Sequence, residues 1–255
     1  IEEAKIKQKA GNSLEANQIF QALLKSNKDS FDLLYAYGLF SRDLKNFNLA
    51  KRVFLNLINK FPLSINPYIL LAEILKIENK FNDAEKVLLS AIKIAPNHAD
   101  LLYNFSLLYF ALRNFDNALV YINKAIKLSI NNVTYKLLKS EIYINKFNID
   151  KALYILEDLN NNNRIKKDKN KEIRINILLA NAKIKKREFE EAENILLNLI
   201  NKFKGLELAY LNLSILYSDR NQLSKSIEII KKGINVSPNF MPFYKNLATF
   251  YRNSG

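Results

Sequence analysis

Apolar residues recur along this chain at the spacing of amphipathic helices, and the helical stripes come in pairs. Around Ala84 the first stripe contains Tyr68, Leu71, Ala72 and Leu75, and the second contains Phe81, Ala84, Leu88 and Ala91. A short polar link, residues 78–80, separates the two stripes. A helix of about a dozen residues is marginal on its own, so each helix is expected to pack on its partner and on the next pair.

The helix pairs repeat with a fixed period. Small residues that open the second helix stand 34 positions apart, with one step of 40: Ala16, Ala50, Ala84, Ala118, Ala152, Ala192 and Ser226. A second series of small residues lies twelve positions before it: Gly38, Ala72, Ser106, Ser140, Ala180, Ser214 and Ala248. Large apolar residues precede the first series by three positions, and Pro62, Pro96 and Pro238 follow it by twelve. Small residues facing large ones at a constant register predict a stack of helix pairs.

This pattern resembles the tetratricopeptide repeat, a 34-residue helix pair. The resemblance rests on the small residue in the first helix, an aromatic near its end (Tyr109, Tyr143, Tyr217 and Tyr251), Ala at the start of the second helix and Pro at its close. Residues 81–97 and 114–128 carry it best, and it covers essentially all of residues 1–255. The resemblance implies an all-α, right-handed α-solenoid (superhelix) of about seven stacked antiparallel helix pairs.

The period sets the expected boundaries of the tetratricopeptide-repeat array. The predicted repeats are 1–30, 31–64, 65–98, 99–132, 133–166, 173–206 and 207–240, with a partial repeat at 241–255. The first helix of the fifth repeat is predicted to be rotated or slipped, because Lys136 and Lys139 stand where the preceding repeat has apolar residues. Residues 160–172 are predicted to form an irregular basic loop, and the stack is predicted to be weakest between the fifth and sixth repeats.

Charge and composition bear on the class of partner. The formal net charge is +14, which by itself favours nucleic acid. Lysines, however, outnumber arginines by 31 to 8, and Lys, Asn, Ile, Tyr and Phe are enriched together, as an AT-rich genome would produce. Arg is the residue suited to bidentate phosphate contact. We therefore interpret most of this charge as solvated surface and expect a protein or peptide partner rather than nucleic acid, with the oligomeric state left open.

The sequence offers no constellation for catalysis, and we predict neither an enzyme active site within this stretch nor a cofactor or metal. It contains no cysteine, one histidine (His98, expected to lie in a solvated loop) and five glycines that form no phosphate-binding loop. No apolar run is long enough for a transmembrane segment. The absence of cysteine fits a cytoplasmic protein. Because the chain begins at Ile1 and stops within a repeat, we expect it to be part of a longer protein.

The resemblance implies where a ligand would bind. In tetratricopeptide arrays the first helices line a concave face that receives an extended peptide or a partner helix, and some members bind the peptide main chain through asparagines. The positions that match the concave face include Tyr35, Leu39, Ile69, Tyr103, Leu107, Phe110 and Leu137, and the matching asparagines are Asn104, Asn212 and Asn246. The same positions of later repeats hold Glu141, Ile144, Asn181 and Ile184. We expect these residues to form a peptide-binding groove.

Two functions from different classes remain open at this point. The first is a protein interaction scaffold that binds a peptide or partner segment in the concave groove. The second is the substrate-recruiting arm of a larger bacterial enzyme, a glycosyltransferase or sulfotransferase, whose catalytic domain would lie beyond Gly255. The sequence following Gly255 would distinguish them.

Overall fold

A computed structural model describes residues 1–162 and 165–253, apart from the side chains of Lys166 and Asn253. Its helices are α1 (Glu2–Lys9), α2 (Ser13–Ser26), α3 (Phe31–Asp43), α4 (Phe47–Lys60), α5 (Ile65–Ile77), α6 (Phe81–Ile94), α7 (Ala99–Ala111), α8 (Phe115–Leu128), α9 (Val133–Asn145), α10 (Ile149–Asn160), α11 (Lys169–Lys185), α12 (Phe189–Lys202), α13 (Glu207–Asp219), α14 (Leu223–Val236) and α15 (Met241–Asn253). A 3₁₀ turn spans Ile165–Lys167, and the described residues contain no strand. The predicted all-α fold of about seven helix pairs is confirmed.

The chain divides into two compact units, Ile1–Ile130 and Asn131–Gly255. In the first unit a continuous hydrophobic core runs from Ala4 on α1 to Leu108 on α7. In the second unit one cluster joins α9, α10 and α11, and another joins α11, α12 and α13. Within each unit, therefore, every helix pair contributes to a core shared with the next pair, as expected for stacked repeats.

The two series of small residues form the contact between the paired helices. Every alanine of the first series is fully buried, and Ser106 and Ser140 of the second series are fully buried as well. In the fourth pair the Ser106 hydroxyl donates a hydrogen bond of 2.9 Å to the backbone carbonyl of Ala118. Gly38 lies so close to Phe54 that a Cβ atom placed on it would stand 2.6 Å from the ring. Small side chains at these positions thus permit the close approach of the two backbones.

The first helices from α1 to α13 end in the same turn, which needs a left-handed residue; after α1 this residue is Gly11. The non-glycine residues with positive φ in the described part of the chain are Lys45, Asn79, Arg113, Phe147, Arg187 and Asn221, each two positions after the end of a first helix. At Phe147 the backbone N–H donates to the carbonyl of Ile144, and the next N–H, that of Asn148, donates to Tyr143. This is the Schellman arrangement, which satisfies the last carbonyls of the helix.

The predicted slip of the fifth repeat is wrong. Helix α9 begins and ends 34 positions after α7, and Ser140 of the small series is fully buried in it. Lys136 and Lys139 are half-buried in this helix without shifting it. The Lys139 ammonium lies 5.8 Å from the centre of the Tyr143 ring, so its aliphatic stem packs while its charge reaches an aromatic face. Long side chains of this kind can replace apolar residues at the edge of a core.

The predicted loop 160–172 is wrong over its last part. Helix α11 begins at Lys169, four residues before the predicted start of the sixth repeat, and the 3₁₀ turn Ile165–Lys167 precedes it. The Asp168 carboxylate accepts hydrogen bonds from the backbone N–H groups of Asn170 and Lys171, so it caps the helix and extends it towards the N-terminus. The predicted basic residue Arg164 lies outside the described residues.

The expectation that the stack is weakest between the fifth and sixth repeats finds no support in the packing. Leu159 at the end of α10 and Ile175 in α11 are both buried in the cluster that joins these repeats. The six extra residues are accommodated by the connection and by the longer α11, without interrupting the core. An insertion in sequence therefore does not imply a gap in packing here.

Candidate functional site

A groove runs across the first helices of three consecutive pairs in the second unit. It has a volume of about 510 Å³ and is lined by Glu141, Ile144, Asn145, Phe147, Leu178, Asn181, Ile184, Lys185, Asn212, Ile215 and Asp219. These residues lie on α9, α11 and α13 and on the turn after α9. We refer to this surface as the α9–α13 groove. It is large enough for several residues of an extended peptide, in the size range of ligand pockets.

Several predicted positions meet in the α9–α13 groove. Glu141 and Ile144 come from α9, Asn181 and Ile184 from the same two positions of α11, and Asn212 from α13. A spacing of three residues places each of the pairs Glu141/Ile144 and Asn181/Ile184 on one face of its helix. The repeat therefore brings together residues that are 40 positions apart in sequence, as the resemblance implied.

Three of the predicted contact residues are buried in the core instead. Ile69 and Leu137 are 8% and 2% exposed, and Asn104 is 3% exposed. Ile69 belongs to the continuous core of the first unit, and Leu137 belongs to the α9–α11 cluster. These three assignments are corrected, because a residue that packs between helices in this conformation has no surface to offer a peptide.

The asparagines of the predicted ladder differ in what their amides can still bind. The Asn104 amide donates to the backbone carbonyl of Asp100 at 2.9 Å and accepts from Lys76 at 3.4 Å. The Asn212 amide donates to the carbonyl of Leu208 at 2.8 Å, which leaves its oxygen as an acceptor. Asn181 is half-buried and its amide has no hydrogen-bond partner among the described residues. Asn246 is half-buried on α15, outside the α9–α13 groove.

The other predicted residues lie in the first unit. Tyr35 and Leu39 line a second groove, of about 760 Å³, between α1 and α3. Tyr103, Leu107 and Phe110 are half-buried on α7, and the Phe110 ring packs against Phe115 with ring centres 5.8 Å apart. The predicted apolar and aromatic strip on α7 thus lies partly exposed and is already packed against its own second helix.

Charges of both signs surround the α9–α13 groove. The Glu141 carboxylate lies 3.5 Å from the guanidinium of Arg174. The Lys185 ammonium lies 5.1 Å from the centre of the Phe147 ring, within the range of a cation–π interaction. In the first unit, burial lowers the pKa of Lys76. Burial also lowers the pKa of Lys139, with a smaller effect from Lys151. The lining of the α9–α13 groove itself contains two carboxylates, Glu141 and Asp219, and one ammonium group, that of Lys185.

Phe147 is one of the lining residues that reasoning from the helical stripes missed, together with Asn145, Lys185, Ile215 and Asp219. It lies in the turn after α9, and 75% of its side chain is exposed. The sequence does contain a signal for it. The equivalent turn positions hold Gly11, Lys45, Asn79, Arg113, Arg187 and Asn221, none of them apolar and bulky, so an aromatic residue in this series is an exception.

The repeat pattern and the geometry are matched by comparisons with known proteins. The family described as tetratricopeptide repeat matches residues 65–98, 99–132 and 208–240. This chain contains tetratricopeptide repeats. No curated protein sequence matches it.

Solved structures of other tetratricopeptide-repeat proteins share the fold. A tetratricopeptide repeat protein from Parabacteroides merdae ATCC 43184 has a TM-score of 0.79 and 15% identity, over 98% of this chain and 97% of that one. The APC/C hetero-tetramer Cut9-Hcn1 has a TM-score of 0.72 and 14% identity, over 97% of this chain and 48% of that one. YrrB, a TPR protein with an unusual peptide-binding site, has a TM-score of 0.51 and 17% identity, over 76% of this chain and 96% of that one.

Within residues 1–162 and 165–253 there is no group of three His, Cys, Asp or Glu side chains that could hold a metal ion. His98 lies in the connection between α6 and α7, as expected, and its Nδ1 accepts a hydrogen bond from the Leu101 backbone N–H, so that it caps α7. Among the helices of the described part, none is long and apolar enough to cross a membrane.

Proposed function

We propose that this protein is an interaction scaffold that holds an extended segment of a partner protein in the α9–α13 groove. The observation that carries the proposal is the Asn181 amide, half-buried in the groove and without a hydrogen-bond partner in the described residues. A side-chain amide offers both a donor and an acceptor, the two groups that a peptide main chain requires. A polar group that is partly shielded from water gains most from a ligand that satisfies it.

The surroundings of Asn181 support a peptide rather than a small polar ligand. Ile184 on α11 and Ile215 on α13 are half-buried and provide apolar surface on two adjacent first helices, and the Asn212 oxygen offers a further acceptor. Grooves that bind extended peptides typically combine apolar surface with a few groups that form hydrogen bonds to the peptide main chain. The comparison with YrrB supports the proposal at the level of the fold, because that tetratricopeptide-repeat protein has a peptide-binding site.

Selection from a random peptide library tests the proposal. Dodecapeptides displayed on phage would be selected on the immobilised full chain, and the enriched sequences would be synthesised with a fluorescent label and titrated by anisotropy. We expect Asn181→Leu to weaken binding about tenfold, corresponding to roughly 1.4 kcal/mol for one or two lost hydrogen bonds. Asn194→Leu, at an exposed position of α12, is the matched control and should bind as the wild type does.

Two results would overturn the proposal. One is a failure to enrich any peptide on the wild-type chain. The other is a set of enriched peptides whose affinity is the same for Asn181→Leu and for the wild type, because such peptides would be bound at another surface.

A further inference from the structure

The turn after α9 differs from every equivalent turn that the structure describes. Its left-handed residue is Phe147, with φ of 59°, whereas the others are Gly, Lys, Asn or Arg. A left-handed conformation brings the Cβ atom of an L-residue close to the following carbonyl oxygen, and only Gly and, to a lesser degree, Asn and Asp adopt it readily. A bulky aromatic at this position is therefore unfavourable for the backbone. Lys45, Arg113 and Arg187 adopt the same conformation in their turns, so the conformation belongs to the repeat and the aromatic side chain is what distinguishes this turn.

Packing within the chain does not account for Phe147. Three quarters of its side chain is exposed, and the Lys185 ammonium lies 5.1 Å from the centre of its ring. Stability would favour Asn at this position, as found at Asn79 and Asn221 in the same turn. The aromatic ring thus contributes little to the stability of the fold, although the backbone conformation of this residue is unfavourable.

The position of Phe147 places its ring where it can contact a ligand in the α9–α13 groove. Phe147 lines the α9–α13 groove together with Ile144, and with Ile184 and Lys185 of the following pair. The exposed Phe147 ring and the half-buried Ile184 side chain provide apolar surface in the groove, with the Lys185 cation beside the ring. In the described part of the chain no carboxylate lies within ion-pair distance of Lys185, so this charge is available to a ligand.

We propose that Phe147 is the anchor of the peptide site and selects a partner segment with an apolar side chain next to an acidic one. The apolar side chain packs against the Phe147 ring and Ile184, and the acidic side chain pairs with Lys185. This inference rests on the proposed function, which it deepens by naming the kind of segment that is bound. Clusters of buried aromatic anchors with a charged neighbour are what dominates affinity at protein interfaces.

The peptides selected on the wild-type chain test this anchor directly. We expect them to share an apolar residue adjacent to Asp or Glu. Phe147→Asn should weaken their binding at least tenfold while raising the urea midpoint of unfolding, because Asn tolerates the left-handed turn. Phe147→Tyr should bind within about twofold of the wild type, since it keeps the ring. Lys185→Gln should weaken peptides that carry the acidic residue and leave those without it unchanged.

The matched control is Tyr154→Asn. Tyr154 is an equally exposed aromatic, 79% accessible, on α10 and outside the lining of the α9–α13 groove. Its replacement should leave binding unchanged. A variant that gains stability and loses binding cannot be explained by misfolding, which makes Phe147→Asn a decisive substitution.

The outcomes separate this inference from the proposed function. If Phe147→Asn binds as tightly as the wild type while Asn181→Leu binds more weakly, the groove is correct and the anchor is refuted. Should Phe147→Asn lower both the stability and the affinity, Phe147→Gly, which removes the ring without backbone strain, decides: retained affinity refutes the anchor, and lost affinity supports it. If Asn181→Leu has no effect or no peptide is selected, both proposals fail.

Discussion

Gly38 on α3 is predicted to be irreplaceable by alanine unless its neighbour changes too. A Cβ atom at this position would lie 2.6 Å from Cε1 and 2.9 Å from Cζ of Phe54. Carbon atoms at optimal separation are about 3.5–4.0 Å apart, so the ring would have to retreat by roughly 1 Å. Phe54 is fully buried and cannot swing into solvent. Gly38→Ala should therefore strain the contact between α3 and α4.

The magnitude follows from two opposing effects. Overpacking of a buried contact costs about 1–3 kcal/mol. Replacing Gly by Ala in a helix returns about 0.5–1 kcal/mol through helix propensity. The net result is a destabilisation of about 1–2 kcal/mol for Gly38→Ala. Without the clash, the same substitution would stabilise the protein, so the sign of the change is itself informative.

The next repeat provides the compensating pair. There the equivalent positions hold Ala72 and Leu88, both fully buried. Phe54→Leu alone should cost about 1–2 kcal/mol, because it leaves a cavity. The double variant Gly38→Ala/Phe54→Leu reproduces the pair of the next repeat and should be less destabilised than the sum of the single variants, with a coupling of about 1–2 kcal/mol.

Urea unfolding of the four proteins, followed by far-ultraviolet circular dichroism, measures the coupling. The slopes must be equal for the midpoints to be compared. Additive effects of the two substitutions, or a Gly38→Ala variant more stable than the wild type, would refute the reasoning that Phe54 occupies the space of the missing Cβ.

Two further predictions concern pH and hydrogen exchange. Burial and a hydrogen bond to Glu193 raise the pKa of Tyr217 to about 12 from an ordinary value of 10. The neutral phenol is thus favoured in the folded state, and its contribution to stability should be intact below pH 10 and be lost as the pH rises towards 12. Tyr217→Phe should therefore show a smaller fall in urea midpoint over this window, and an identical fall would contradict the assignment. Amide exchange should protect residues 150–160 and 175–185 alike, because Leu159 and Ile175 share one core. Early exchange confined to one of these helices would show that the shared core does not hold them together.

The helix pairs could be predicted from the sequence because the small residues report the packing directly. Full burial of Ala50, Ala84 and Ala118 is what their spacing required. The register of α9 could not be predicted from residue type, because Lys136 and Lys139 are counted as polar although their stems pack like apolar residues. The start of α11 was missed for a different reason. Asp168 is a good helix cap, but the basic residues around it concealed the signal.

The candidate site could be predicted in outline and not in its details. Positional equivalence located Asn181, Ile184 and Asn212 in the groove. It also assigned Ile69 and Leu137 to the groove, because the tilt of a helix against its neighbours decides whether the same position is exposed or buried. Phe147 lies in a turn, where no helical periodicity applies. Only a comparison between the equivalent turns of the repeats would have identified it as an aromatic exception.

The recurring left-handed turn separates what holds a repeat together from what it displays. The bonds that close the turn at Phe147 are made by backbone groups of Tyr143, Ile144, Phe147 and Asn148, so they do not depend on which side chain stands there. The same backbone bonds close the turns at Lys45 and Asn221. The side chain of the left-handed residue can therefore be replaced at a small cost in stability. A change of this side chain can alter the choice of partner while the core stays the same.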